Sequence, residues 1–105
     1  MFAPEVEQVL TPKQRQFLKS LAHPLSPFVH IGRNGITPAL IAETKRSLEA
    51  HELIKVRIDA DEGAERRAMA EQLARESAAH LAGTVGKIAI LYRAREEKPR
   101  IKLPS

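Results

Sequence analysis

Residues 32–35 read Gly-Arg-Asn-Gly, set between a short apolar run, Phe28 to Ile31, and a segment with helical spacing that opens at Thr37. Two glycines three apart permit a tight bend whose backbone N–H groups converge, and they keep Cβ atoms out of the way of an approaching ligand. Arg33 adds a cation and Asn34 a donor, a combination suited to a phosphate backbone. The same spacing also serves a plain strand-to-helix turn with positive φ at Gly32 and Gly35, and in isolation the pattern favours that plainer role.

Other phosphate and catalytic patterns are missing. There is no G-x-G-x-x-G and no Lys-Ser/Thr after a Gly-x4-Gly, so dinucleotide and Walker-type readings fail. His23, His30, His51 and His80 are scattered, "HEL" at 51 lacks the second histidine of H-E-x-x-H, and no serine or acid sits in a catalytic motif. Zero cysteines exclude disulfides, thiolate nucleophiles and Cys-type zinc sites, which fits a reducing cytoplasm. The expectation is a protein without enzymatic activity, cofactor, metal site or small-molecule substrate. KH modules also clamp nucleic acid with a Gly-x-x-Gly loop, but there it joins two helices, whereas here it follows a strand.

Charge points to a polyanion. Against 17 Lys+Arg stand 13 Asp+Glu, and the distribution says more than the net +4. Basic side chains dominate from Leu10 to Arg57 and again beyond Gly86, and the stretch between them is acidic. Clustered Lys and Arg raise the local potential and release counterions on meeting phosphates. The candidates are Arg15, Lys19, Lys45, Arg46, Lys55 and Arg57; the alternative is a set of solvated helix faces. Phe2, Phe17, Phe28 and Tyr92 mostly read as core residues, which speaks against an aromatic stacking platform.

The elements that would hold these residues are legible in part. A chain of 105 residues suggests one domain with a modest core, and no stretch approaches the ~20 apolar residues of a membrane helix, so a soluble protein is expected. The first residues, "MFAPEVEQVL", do not resemble a secretory signal. Thr11, Pro12 and Gln14 form a capping-box pattern for a first helix, with Phe17, Leu18 and Leu21 inward and Arg15 and Lys19 toward solvent; His23 ends it and "HPLSP" stops it. Phe28 to Ile31 reads as a short strand. Thr37 caps a second helix of about thirteen residues, with Pro38 at its first position, Ile36 stapled to Ile41, and Leu40, Ile41, Thr44 and Leu48 inward; His51 ends it. "LIKVRI" alternates, with Ile54, Val56 and Ile58 on one face and Lys55 and Arg57 on the other. Strand, helix and strand in succession predict a parallel crossover, with the glycine bend at the C-terminal end of its first strand, where α/β sheets place ligands. Asp59 or Asp61 is expected to cap a third, alanine-rich helix, whose acidic face would turn away from a polyanion. "TVGKIAILYR" predicts a hairpin turning near Gly86, and the tail either folds back through Ile101 and Leu103 or stays mobile.

Taken in order, "LTPKQRQFLKSLAHPLSPFVHIGRNGIT", "HELIKV", "VGKIAILYR" and the closing "IKLP" resemble the CRM (chloroplast RNA splicing and ribosome maturation) domain in its bacterial stand-alone YhbY form, from Leu10 to about Pro104. The resemblance implies an α-β-α-β-α-β-β domain with a four-stranded mixed sheet, similar to the C-terminal domain of bacterial initiation factor three. It implies a Gly-x-x-Gly loop that contacts RNA, here Gly32, Arg33, Asn34 and Gly35. Bacterial members associate with precursors of the large ribosomal subunit, and plant relatives act in group II intron splicing.

Two departures follow. Residues 1–9 extend beyond the family core and are expected to be mobile, leaving 10–104 as the RNA-binding domain. Periodicity alone would run the third helix to Ala82 with Gly83 beyond its end, whereas the family pattern ends it near Ala78, where a glycine is usual, and makes the next segment a strand; the family boundary is adopted. The expected function is that of a cytoplasmic, monomeric, non-catalytic RNA-binding assembly factor for the large subunit. A general structured-RNA chaperone or intron factor, and a protein adaptor whose bend is purely structural, are the alternatives.

Overall fold

The computed structural model describes residues 9–105, so Phe2 and all of the expected extension except Val9 lie outside the described residues. The elements run α1 (Pro12–Ala22), β1 (Val29–Ile31), α2 (Pro38–His51), β2 (Leu53–Ile58), α3 (Gly63–Glu76), β3 (His80–Val85) and β4 (Ile88–Tyr92). This is the α-β-α-β-α-β-β order, with one four-stranded mixed sheet in the order β1-β2-β4-β3. β1 and β2 are parallel, and β4 runs antiparallel to both β2 and β3.

Both faces of the sheet are covered, because β2 and β4 carry apolar side chains at consecutive positions and pleating sends these to opposite sides. Ile54, Val56, Ile58, Ala89 and Leu91 join Val29 and Ile31 under α2 and α3, where Leu48, Ala70 and Leu73 complete the larger core. On the other side Leu53, Ile90, Tyr92 and Ala82 meet Leu18 and Ala22 of α1. The face assignment of β2 therefore stands, with Leu53 and Lys55 turned toward α1.

The helix starts follow their caps. Thr11 Oγ1 accepts from the Gln14 N–H at 3.1 Å while Gln14 Oε1 accepts from the Thr11 N–H at 3.0 Å, completing the capping box. Thr37 Oγ1 accepts from the Leu40 N–H at 3.1 Å, and Ile36, Leu40 and Ile41 pack against the larger core. On α1 the inward stripe is Leu18 and Ala22; Leu21 is 40% exposed, so it is Ala22 that seals this helix.

Two boundaries of the third helix and the course of the tail differ from expectation or are decided by the backbone. The third helix starts at Gly63 after Glu62, with no side-chain cap. Asp59 cannot serve, because its N–H still bonds the Ile31 carbonyl as an extension of the strand pair and its carboxylate is engaged elsewhere. The same helix ends at Glu76, because Ala78 adopts φ +56° while its N–H bonds Arg75 O and the Ala79 N–H reaches back to Ala74 O at 2.8 Å. That pair of bonds is the Schellman ending that glycine usually closes, so the family boundary holds and the periodicity continuing to Ala82 does not. Finally, the tail folds back: Ile101 and Leu103 pack on the α1 side, and Gln14 Nε2 donates to Pro104 O.

Glu52 holds that tail. It follows α2 with φ +64° and is 1% exposed, an unusual place for a carboxylate. Its oxygens accept from the N–H groups of Arg95 at 2.9 Å, Arg100 at 2.8 Å and Ile101 at 3.0 Å, and its carbonyl accepts from the Arg93 N–H. Burial works to raise its pKa. The three N–H donors, with the Arg95 charge, outweigh burial and hold the pKa below the ordinary carboxylate value.

Candidate nucleic-acid interface

The Gly32–Gly35 bend leaves β1 directly and ends two residues before α2 begins. It is a β-turn closed by the Gly35 N–H to the Gly32 carbonyl at 3.1 Å, with Gly35 at φ +68°. Only Gly35 needs a glycine for its backbone. Gly32 has no left-handed φ, and a Cβ there would meet nothing within 4 Å, so the fold itself gives no reason for its bare backbone. Arg33 and Asn34, at the tip, are exposed. Pro38 has no N–H and that of Leu40 is taken by Thr37, so an anion here would be held chiefly by Arg33, Asn34 and the remaining amides of the turn.

Beside the bend, on the face away from α2, lie the neighbours His30 and Arg57. Asp59 joins them, with Oδ2 at 2.6 Å from His30 Nε2 and Oδ1 accepting from Arg57 Nε at 3.2 Å. These bonds, His30's first, hold the Asp59 pKa below its usual value. The carboxylate fixes both side chains in place and partly offsets the Arg57 charge. His30 and Arg57 remain 57% and 53% exposed, open to a partner.

The other candidate cations divide. Lys55 donates to the carbonyls of His23 at 3.0 Å and Leu25 at 2.9 Å, closing the end of α1. Arg15 and Lys19, expected in solvent, are half-buried: the Arg15 guanidinium donates to Leu10 O, and the Lys19 stem lies over Gly83, whose added Cβ would come within 3.1 Å of it. The reason is that α1 lies across the edge strand β3, so its flank is packed as well as its centre. Lys19, Gln16, Ser20, His23 and Val85 line an open groove of about 420 Å³ beside it. Lys45 and Arg46 are exposed on α2, in the opposite layer from Lys55 and Arg57. The structure thus brings Gly32, Arg33, Asn34, Gly35 and Arg57 together at one end of the β1–β2 pair, leaves Arg15, Lys19 and Lys55 along α1, and separates Lys45 and Arg46 from both.

Two residues of this surface carry no local signal in the sequence. His30 looked like one of four scattered histidines, and only the parallel register sets it beside Arg57. Phe28 read as core, yet it is 43% exposed and stacks on the His51 ring, with centroids 4.4 Å apart and planes 15° apart. Among the described residues there is no group of three or more His, Cys, Asp or Glu able to hold a metal ion, and no helix is long and apolar enough to cross a membrane.

Comparison with known proteins agrees across nearly the whole fold. The chain is 42% identical over 95 residues to an RNA-binding protein of Haemophilus influenzae, covering 90% of this chain and 95% of that one. It is 36% identical over 96 residues to the "Probable RNA-binding protein YqeI" of Bacillus subtilis, covering 91% of this chain and all of the relative. The solution structure of a hypothetical protein from Staphylococcus aureus, proposed to bind RNA, superposes with a TM-score of 0.82 at 34% identity, over 91% of this chain and all of that one. The family model for the CRS1 / YhbY (CRM) domain matches residues 10–93, from the residue before the α1 cap to the residue after β4, and the chain belongs to that family.

Proposed function

We propose that the protein is a non-catalytic, cytoplasmic RNA-binding protein that associates with precursors of the large ribosomal subunit and assists their assembly. The observation that carries the reading is the turn itself. Gly32 is bare where the fold would accept a Cβ, and it stands beside exposed Arg33 and Asn34 on a surface that also presents His30 and Arg57. An absent Cβ at an open, basic turn permits close approach of a phosphate backbone. Relatives similar over about nine-tenths of this chain carry RNA-binding in their names. The large-subunit role follows from what the bacterial single-domain form of the family implies.

A salt titration tests the binding mode. Phosphate contacts impose a slope of roughly 0.7 to 0.9 per contact in log K against log salt, and a flat response would favour a protein adaptor. Sedimentation of a lysate tests the target: the protein is expected with large-subunit precursors, and recovery only in ribosome-free fractions at low salt would overturn that assignment. Gly32→Ala adds a local check, since it should melt like the parent and bind RNA more weakly.

A further inference from the structure

We propose that an unpaired RNA base stacks on Phe28, so that the protein grips a single-stranded or looped-out segment laid along β1 from the Phe28–His51 pair to the Gly32–Gly35 turn. The proposal rests on the RNA-binding reading above and adds which form of RNA is held.

Phe28 stands apart from the other described aromatic residues. Phe17 packs against the smaller core and Tyr92 is buried within it, whereas Phe28 leaves 43% of its surface open. His51 stacks on the ring, and the backbone that carries it is anchored by the Phe28 N–H to the Lys55 carbonyl at 3.0 Å. A ring fixed in advance loses little side-chain freedom when a base settles on it. Such stacking accepts any base with a free π-face, and in a duplex those faces are already covered by neighbouring base pairs.

The path between the two ends is suited to a nucleic-acid backbone. Four residues of extended chain place Phe28 and Gly32 about 13 Å apart, a few nucleotides of an extended single strand. His30 and Arg57 lie side by side along that path, both more than half exposed and both held by Asp59. A phosphate on the turn would therefore bring the next phosphates past two basic side chains and a base toward the ring. Asp59 weakens the charge there while holding both side chains beside the path.

The test compares an RNA hairpin carrying an unpaired loop with a perfect duplex of equal length, using the full chain and the variants Phe28→Leu and Phe28→Tyr. Phe28→Leu keeps an apolar side chain and removes the π-face, and should lower affinity for the hairpin about fivefold or more while leaving duplex binding unchanged. Phe28→Tyr should bind like the parent. In the unsubstituted protein, 2-aminopurine in the loop should be quenched on binding, a readout that does not depend on any variant folding. Equal affinity of Phe28→Leu and parent for the hairpin, equal losses on both RNAs, or unquenched 2-aminopurine in a formed complex would overturn the stack and leave the turn as the RNA contact. A parent that binds neither RNA would overturn the stack together with the RNA-binding reading.

Discussion

Removing the Glu52 carboxylate should release the C-terminal tail and cost the domain a large part of its stability. In the parent the group is buried, accepts three backbone hydrogen bonds from Arg95, Arg100 and Ile101, and sits at φ +64°. A hydrogen bond to a charged group contributes ~1.5 to 3 kcal/mol. The desolvation of a buried carboxylate offsets part of three such bonds, leaving a net of about 2 to 4 kcal/mol for Glu52→Ala. On a domain of this size that lowers the melting temperature by about 10 °C or more. Glu52→Gly loses the same bonds and relieves the left-handed backbone, so it should fall about 1 kcal/mol short of the alanine loss. Circular dichroism gives the melts, and hydrogen exchange at the amides of 95, 100 and 101 reports the tail.

The pH dependence has a definite sign. Glu52's pKa is lower in the fold than in the unfolded chain, so its stabilisation is complete above the ordinary carboxylate pKa and is lost as pH falls through the folded value. The parent should therefore lose stability below about pH 4.5, while Glu52→Gln, less stable at pH 7, should show a shallower acid limb. A Glu52→Ala protein that melts within a degree or two of the parent, its tail amides still protected, would refute the reasoning.

Val56→Asp should unfold the domain, since an unpaired carboxylate in the larger core costs several kcal/mol out of a total of ~5 to 15; a cooperative melt near the parent's would invert the faces of β2. Lys55→Ala should cost about 1 kcal/mol in a denaturant titration, because its ammonium closes the end of α1; no loss would mean those contacts are idle. Ala78→Gly should raise stability by about 1 kcal/mol, or about 4 to 8 °C in a thermal melt, because glycine takes φ +56° without a Cβ clash; an unchanged or lower melting temperature would contradict the Schellman ending.

What the sequence disclosed was local. Thr11 with Gln14, Thr37 with Pro38, and Gly86 in its hairpin each act within a few residues, so their chemistry is written next to their consequence. Glu52 gave no such signal: its partners lie 43 to 49 residues further on, and nothing around it distinguishes it from the other acids. Asp59 reads as a cap because a short acid before a helix resembles one, while its two partners come from the β1–β2 pair. At Ala78 the apolar rhythm ran on through a residue whose backbone turns left-handed, and only the family pattern marked the stop. The candidate turn was legible as four residues. Its setting was not, because His30, Arg57 and Phe28 reach it through strand register and packing.

The most direct measurement is the affinity of Arg33→Asp/Asn34→Asp for large-subunit precursor RNA, beside its melting curve. Both substitutions are at exposed positions of a turn whose glycines are kept, so stability should change by within about half a kcal/mol each. The variant loses one cation and gains two anions at the proposed phosphate contact, which should weaken binding by roughly tenfold or more. A double variant that melts like the parent and binds the precursor RNA equally well would contradict the account, for the bend would then only connect β1 to α2.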